Sequence, residues 1–406
     1  MTDFIYHSPT KFVFGRGAVD KTGGELAAAG FKKALVVTGG SSAARNGTLA
    51  RVTASLDAAG VAHREFSGVR PNPEIAQVRA AVGAFRDGGC DVFLPVGGGS
   101  VIDCAKAAAA AVDHPGDPWD FFRGGTGVSA ARPVAAVLTL PAAGSEGSAS
   151  CVISNDAVRA KLGIGSDALR PRIAIMDPEL TFTLPPFQTA AGVTDMTAHI
   201  CERYFSGQGP APVSDNIAAA LVRTLRDAAP RALADPRDYE ARAAIMWAGT
   251  LAHNDLTGCG RGASPSVRAG GWESHALEHE LSALDPKITH GAGLAVVLPA
   301  WMRHVMRADP GRFAAFGRDA LGLAPSGDVV NDAEAAVDAL QAFFISMGMP
   351  RSLADFGLAT DCIGGLVESI GRTKGRVFGA FAELGPEDVA AIYRSAFDQP
   401  CPKYRG

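Results

Sequence analysis

No two cysteines in this 406-residue chain are spaced C-x-x-C. The seven cysteines (Cys90, Cys104, Cys151, Cys201, Cys259, Cys362 and Cys401) are odd in number and scattered. That excludes an obvious disulfide framework and favours reduced thiols. Long apolar runs are missing too: none approaches the ~20 residues of a membrane span. The opening MTDFIYHSPTKF is too polar for a secretory leader. The expectation is a cytoplasmic chain with no membrane partner. An excess of either charge is lacking, with 38 Lys and Arg against 42 Asp and Glu, so no nucleic-acid partner is expected. Low-complexity tracts and internal repeats are lacking as well. Two chemical signatures are absent or broken. There is no G-x-G-x-x-G, so an ordinary Rossmann fingerprint is excluded. His279-Glu280 begins a zinc-protease HExxH, but Ala283 stands where the second histidine would be.

What remains is the composition of a soluble enzyme, 47% hydrophobic and 20% charged, long enough for two or three domains. The first half alternates short apolar runs with helical patterns. Strands are expected at Lys11–Phe14, Ala34–Thr38, Ala62–Ser67, Asp91–Val96, Pro133–Leu140 and Ile173–Met176, with further strands between 150 and 177. Helices are expected at Gly23–Ala29, Asn46–Ala59 and Glu74–Gly88, the last opened by Pro73. This is the pattern of a parallel α/β sheet. After Pro185-Pro186 the pattern turns helical, through Thr189–Phe205, Ser214–Ala229, Tyr239–Thr257, Trp272–Ala283, Gly293–Arg307 and four later segments to Phe397. The expected division is an α/β nucleotide-binding domain over 1–182 and an all-α domain over 183–406.

Glycine-rich turns follow two of the strands. Gly39-Gly40-Ser41-Ser42 ends the strand at 34–38, and Gly97-Gly98-Gly99-Ser100 joins the strand at 91–96 to the helix former VIDCAKAAAAAV. At such a turn the backbone can approach a pyrophosphate, with the helix's free N–H groups aimed at it. Tight packing alone uses glycine in the same way. The helical half contains GWESHALEHELSALDPKITHGAG, Gly271 to Gly293, with His275 and His279 one helical turn apart and His290 beyond a Pro-Lys break. Asp195 and His199 repeat the i,i+4 spacing upstream. A carboxylate with two or three imidazoles is a plausible first shell for a divalent metal. On spacing alone, surface pairs that support a helix are the commoner reading.

Taken together these segments resemble the iron-containing (group III) alcohol dehydrogenases, most closely those of the NADPH-dependent butanol dehydrogenase type. The matching pieces are Gly15-Arg16-Gly17, Pro71-Asn72-Pro73, the segment Gly97 to Lys106, Thr139 to Glu146, Asp177 to Thr181, Thr189 to Gly192, Asp195-x3-His199, His275-x3-His279 and His290 to Ala295, in order along nearly the whole chain. The resemblance implies a two-domain fold like that of dehydroquinate synthase, with the active site in the cleft between domains. It implies that Asp195, His199, His275 and His290 hold the metal, Fe²⁺ first and Zn²⁺ as the alternative. His279 becomes a proton-relay candidate. Gly97, Gly98, Gly99 and Ser100 would hold the pyrophosphate, while Asp103, Thr139, Lys161 and Leu180 fall on cofactor-contacting positions.

Gly39, Gly40 and Ser41 bear on cofactor choice. NAD-preferring relatives carry an acidic residue at position 39, whereas here the turn holds none and Arg45 is near. The expectation is NADP(H) over NAD(H). The reaction implied is interconversion of an alcohol and an aldehyde or ketone, in a homodimer, on a small-molecule substrate. An NAD-preferring dehydrogenase with a specialised hydroxy substrate is the alternative. A lyase of the dehydroquinate synthase type would need a phosphate-binding Lys/Arg set that the HALEHEL helix does not resemble. A non-catalytic nucleotide-binding relic would have lost a metal ligand. Ala143 stands where relatives have Thr, and a segment around 262–270 reads as an inserted loop.

Overall fold

A computed structural model describes residues 1–207, 209–262 and 270–399. It divides into two compact units. One comprises His7–Leu184 with Pro236–Thr250; the other comprises Met1–Tyr6, Pro185–Asp235 and Leu251–Gly406. Both are discontinuous in sequence, which a single boundary near 182 does not describe.

The first unit carries strands β1 (Lys11–Phe14), β2 (Lys33–Thr38), β3 (Ala62–Phe66), β4 (Val92–Gly98), β5 (Ala135–Leu140), β6 (Ser150–Asn155), β7 (Ala160–Gly165) and β8 (Ile173–Met176). Its helices are α1 (Thr22–Ala28), α2 (Ser42–Arg45), α3 (Thr48–Ala58), α4 (Ile75–Gly88) and α5 (Gly99–Ala111). Six strands form one sheet in the order β1-β8-β5-β4-β2-β3, every pairing parallel. Successive residues of β2 point to opposite faces. Leu35 and Val37 pack with Phe85, Phe93 and the alanines of α5, and Ala34 and Val36 pack with Leu26, Val52 and Leu94. Both faces are covered, which is why these strands read as continuous apolar runs. Strands β6 and β7 form a separate antiparallel hairpin, so the strands expected between 150 and 165 do not extend the parallel sheet. Pro73 does not open α4 either. Glu74 caps it, accepting from the Ala76 N–H at 2.6 Å, while Gln77 accepts from the Glu74 N–H at 3.2 Å. This is a reciprocal capping box.

Chain order places a switch in the sheet. From β2 the chain steps outward to β3, and from β4 it steps the other way to β5 and β8. Ligands of open parallel sheets bind outside the carboxyl ends of the strands at such a point. Gly39-Gly40-Ser41 and Gly97–Ser100 end these two neighbouring strands.

The second unit contains α6 (Pro186–Tyr204), α7 (Pro212–Ala234), α9 (Glu273–Leu284), α10 (His290–Val305), α11 (Pro310–Leu321), α12 (Val329–Ser346), α13 (Ile363–Lys374) and α14 (Pro386–Phe397). The intervening helix, α8 (Tyr239–His253), is counted with the first unit up to Thr250. Its Met246 packs with Ile102, Leu138 and Met176, Trp247 meets Phe12 at 5.4 Å between ring centroids, and Thr250 donates to the buried Glu146. Helix α10 packs against α6, α9, α12 and α14. It begins at His290 itself rather than at Gly293, so that histidine stands on the first helical residue. Among the described residues no helix is long and apolar enough to cross a membrane, and the six described cysteines are unpaired.

Candidate metal centre and nucleotide cradle

Asp195 and His199 lie one turn apart on a stretch of α6 that is buried from Thr189 to Tyr204. His275 lies in the first turn of α9 and His290 opens α10. The three helices bring these four side chains together. Asp195 Oδ1 is 3.5 Å from His199 Nδ1, 3.7 Å from His275 Nε2 and 3.7 Å from His290 Nε2. These separations are long for hydrogen bonds. They suit groups sharing a cation, because ligands about 2.1 Å from a tetrahedral metal lie about 3.4 Å apart. Asp195 Oδ1, His199 Nδ1 and His275 Nε2 are all buried without a hydrogen-bond partner. Unsatisfied buried polar atoms cost roughly 1–3 kcal/mol each. Three such atoms converging on one point fit a divalent metal, and their donor set suits Fe²⁺ or Zn²⁺.

The electrostatics agree. Burial disfavours the Asp195 carboxylate, yet the surrounding imidazoles hold it well below the ordinary carboxylate range. Burial keeps His199 neutral, its pKa well below the usual value, so it retains a lone pair for a ligand bond. Burial also opposes charge on His275, but the Asp195 and Glu202 carboxylates outweigh it and raise the pKa to about 9. A surrounding that favours an imidazolium favours a metal cation for the same reason.

Sequence reasoning missed two carboxylates here. Glu202, fully buried on α6, accepts from the N–H groups of Glu273, Ser274 and His275 at 3.2, 2.8 and 3.1 Å and faces His275 Nδ1 at 3.3 Å. Glu278, equally buried on α9, is hydrogen-bonded to His290 Nδ1. The signal was present. Glu202 lies three residues after His199, and Glu278 three after His275, each on the same helix face as the histidine that precedes it. His279 is partly exposed one turn beyond His275, its ring centroid 5.4 Å from that of His290. Two aromatic neighbours were also missed. The His253 ring lies 4.2 Å from His199, and Trp272, left-handed at φ 60°, lies 5.3 Å from His275.

In the α/β unit the two glycine turns meet around Val101. A Cβ on Gly97 would fall 2.6 Å from Val101 Cγ2, and one on Gly39 would fall 3.4 Å from the same atom and 3.2 Å from the Val69 carbonyl oxygen. Gly98 and Gly99 are hemmed in by Leu140 and Ala143 at 3.1 and 3.0 Å. No side chain caps the amino end of α5, so its first N–H groups are available to an anion. The glycines thus leave bare backbone beside a helix N-terminus, which fits a pyrophosphate. Ser100, partly buried, stands in the first turn of α5, and Thr139 lies on β5 between the residues paired with Gly97 and Gly98. Ser41 is exposed and accepts from Arg45, while Gly40 is exposed beside it. Asp103 spends both oxygens on the segment after β5, accepting from Ser145 Oγ at 2.5 Å and from the Val152 N–H of β6 at 2.9 Å. Lys161 is buried on β7, and Leu180 is buried in the core beside α1 and α3. Of the expected insertion at 262–270, residues 263–269 lie outside the described residues.

Residues 9–178 match the family described as iron-containing alcohol dehydrogenase, and residues 189–397 match the C-terminal part of that family. The chain is 38% identical over 398 residues to NADH-dependent butanol dehydrogenase A of Clostridium acetobutylicum, covering 98% of this chain and all of the relative. It is 35% identical over 373 residues to the NADPH-dependent aldehyde reductase YqhD of Escherichia coli, covering 91% and 93%. The crystal structure of NADH-dependent butanol dehydrogenase A from Thermotoga maritima superposes with a TM-score of 0.92 at 39% identity, over 98% of this chain and 99% of that one. Fold and relatives together define an NAD(P)-dependent alcohol dehydrogenase, an oxidoreductase of alcohols and aldehydes. The chain belongs to the iron-containing alcohol dehydrogenase family, and membership implies a divalent metal, iron, and a nicotinamide cofactor.

Proposed function

We propose that this chain interconverts a small alcohol and its aldehyde or ketone using NADP(H), with Asp195, His199, His275 and His290 as the ligands of a divalent metal, Fe²⁺ in preference to Zn²⁺. The observation that carries this is the convergence of Asp195 Oδ1, His199 Nδ1 and His275 Nε2 as buried, unpartnered atoms. The metal supplies Lewis acidity to the substrate oxygen, and the nicotinamide supplies the hydride chemistry. The protein's own residues bind and orient. The backbone of Gly97, Gly98, Gly99 and Ser100 holds the pyrophosphate, and Thr139, Lys161 and Leu180 contact the cofactor. Asp103 braces Ser145 after β5 and Val152 on β6. His279, at the partly exposed side of His290, passes a proton between substrate and solvent. The chain works as a cytoplasmic homodimer.

The NADP(H) preference rests on the turn after β2. Thr38 to Arg45 contains no carboxylate to repel a 2′-phosphate, and Arg45 already donates to Ser41 beside Gly40. NAD(H) is the second reading, favoured by the NADH in the names of the matching butanol dehydrogenases. NADPH is printed for the aldehyde reductase instead. The test loads the metal-stripped chain anaerobically with Fe²⁺ or Zn²⁺ and follows NADPH and NADH oxidation over a panel of aldehydes. Metal-dependent turnover with kcat/KM higher for NADPH supports the proposal. Full turnover after chelation removes the metal reading, and a higher kcat/KM with NADH removes the cofactor reading.

A further inference from the structure

Two of the four metal-facing side chains have a second nitrogen engaged, and in both cases by a carboxylate that is fully buried. His275 presents Nε2 towards Asp195 at 3.7 Å and Nδ1 towards Glu202 at 3.3 Å. His290 presents Nε2 towards Asp195 at 3.7 Å and Nδ1 to Glu278. The two nitrogens of an imidazole point in diverging directions, so a carboxylate on Nδ1 cannot reach a cation on Nε2. An ionised carboxylate only accepts hydrogen bonds, so it selects the tautomer with the proton on Nδ1 and a lone pair on Nε2. Although Glu278, His279 and His290 also place one ligand atom each within 4.8 Å of one another, the Glu278–His290 bond makes Glu278 an orienting group for that ring.

The arrangement steps from helix to helix. We propose that Glu202 on α6 and Glu278 on α9 are positioning residues that hold His275 on α9 and His290 on α10 by their Nδ1–H groups, and so set the affinity of the centre for its metal. Such outer partners orient metal-binding imidazoles and raise their basicity. Each carboxylate is itself braced. Glu202 Oε1 accepts from Ser274 Oγ at 2.6 Å and from two backbone N–H groups. Glu278 Oε1 accepts from Ser282 Oγ one turn on. Gly293 makes room for it, because a Cβ there would lie 2.8 Å from Glu278 Cγ. The two glycines of the His-Gly-Ala-Gly segment thus serve the centre differently. Gly293 admits Glu278, and Gly291 lets α10 approach the Ala191 carbonyl of α6.

This inference rests on the ligand reading above, and the test separates the two. The full-length chain is stripped of metal, and Co²⁺ affinity is measured by competition with a chelator while the Co²⁺ absorption band reports coordination. Glu278→Gln and Glu202→Gln, nearly isosteric, are each expected to weaken Co²⁺ binding about 10- to 100-fold, with a shifted band and an unchanged circular dichroism spectrum. Ser282→Ala is expected to weaken it less. In a His290→Ala background the effect of Glu278→Gln is expected to vanish, and that of Glu202→Gln to remain. Because Glu202 also caps α9, a misfolded Glu202→Gln leaves the question to Glu278 and Ser282. A folded Glu278→Gln with wild-type affinity overturns the proposal, as does an undiminished Glu278→Gln effect without His290. If the unaltered chain takes up no Co²⁺, the ligand reading falls and the positioning roles fall with it.

Discussion

Lys106 shows how one buried charge can serve a site it does not touch. It lies fully buried on α5, three residues after Asp103, and donates to the Ser148 carbonyl, Ser148 Oγ and the Ser150 carbonyl at 2.9, 3.2 and 3.0 Å. With Asp103 it fastens the loop after β5 to the helix whose amino end faces the glycines. Burial pulls its pKa from 10.5 to about 8. The sign follows directly. Below pH 8 both folded and unfolded chains carry the proton, and the folded state bears the full cost of burying it. Between about 8 and 10.5 the unfolded chain binds more protons, so rising pH favours the folded state through this residue. Chemical denaturation of the wild type and Lys106→Met at pH 7.5 and 10 is expected to show the wild type gaining on the variant, with a ceiling of roughly 3 kcal/mol. A difference independent of pH would contradict it. At the same scale, Arg45→Ala is expected to raise the KM for NADPH about tenfold and leave that for NADH unchanged, a magnitude typical of one charge-assisted phosphate contact. Equal effects on both cofactors would count against a 2′-phosphate site at Ser41 and Arg45.

At the scale of elements, spacing in the sequence marked the Asp195/His199 and His275/His279 pairs, whereas a close approach between α6 and α10 brings His290 to Asp195. A Cβ on Gly291 would sit 2.0 Å from the Ala191 carbonyl oxygen, so α10 meets α6 backbone to side-chain-less backbone. Gly291→Ala must push the helices apart or twist α10 at its first turn, next to His290. Overpacking of this kind costs about 1–3 kcal/mol, and the displaced His290 is expected to weaken Co²⁺ binding as well. Thermal unfolding and the chelator competition check both. A variant with unchanged melting temperature and affinity would show that the approach is not constraining. The triple glycine works similarly at Val101, where strand and helix meet. There the apolar run of β4 was legible, but its continuation through Gly97 to Gly98 was not, because glycine reads locally as a strand breaker. Neighbouring β5 overrides that preference by pairing with both glycines.

At the scale of the molecule, β1 lies at the edge of the sheet, paired on one side with β8. An edge strand leaves backbone groups open to another chain. Phe14 and Trp247, 40% and 39% exposed with ring centroids 6.2 Å apart, form an apolar step beside it. Light scattering is expected to give the mass of two chains, and Trp247→Asp is expected to shift it towards one. A wild-type mass of one chain would exclude the homodimer.

The sequence by itself determined the class of the protein. Apolar runs and glycine turns are local signals, and parallel strands buried on both faces and amphipathic helices announce themselves by period. The sequence also carried the family motifs, and through that resemblance pointed to Asp195, His199, His275 and His290 as a set. Only the tertiary structure decided what joins them. It showed that Glu202 and Glu278 turn towards histidines on other helices, 73 and 12 residues away, and that Asp103 is occupied by Ser145 and Val152, 42 and 49 residues away. It also showed that α8 up to Thr250 packs with the sheet, although its neighbours in sequence pack elsewhere. The physical reason is common to all three. A period or a spacing records which face of an element is apolar or polar, whereas the partner of a buried charge or an apolar face is chosen by long-range packing, in which a residue's neighbours are distant in the chain.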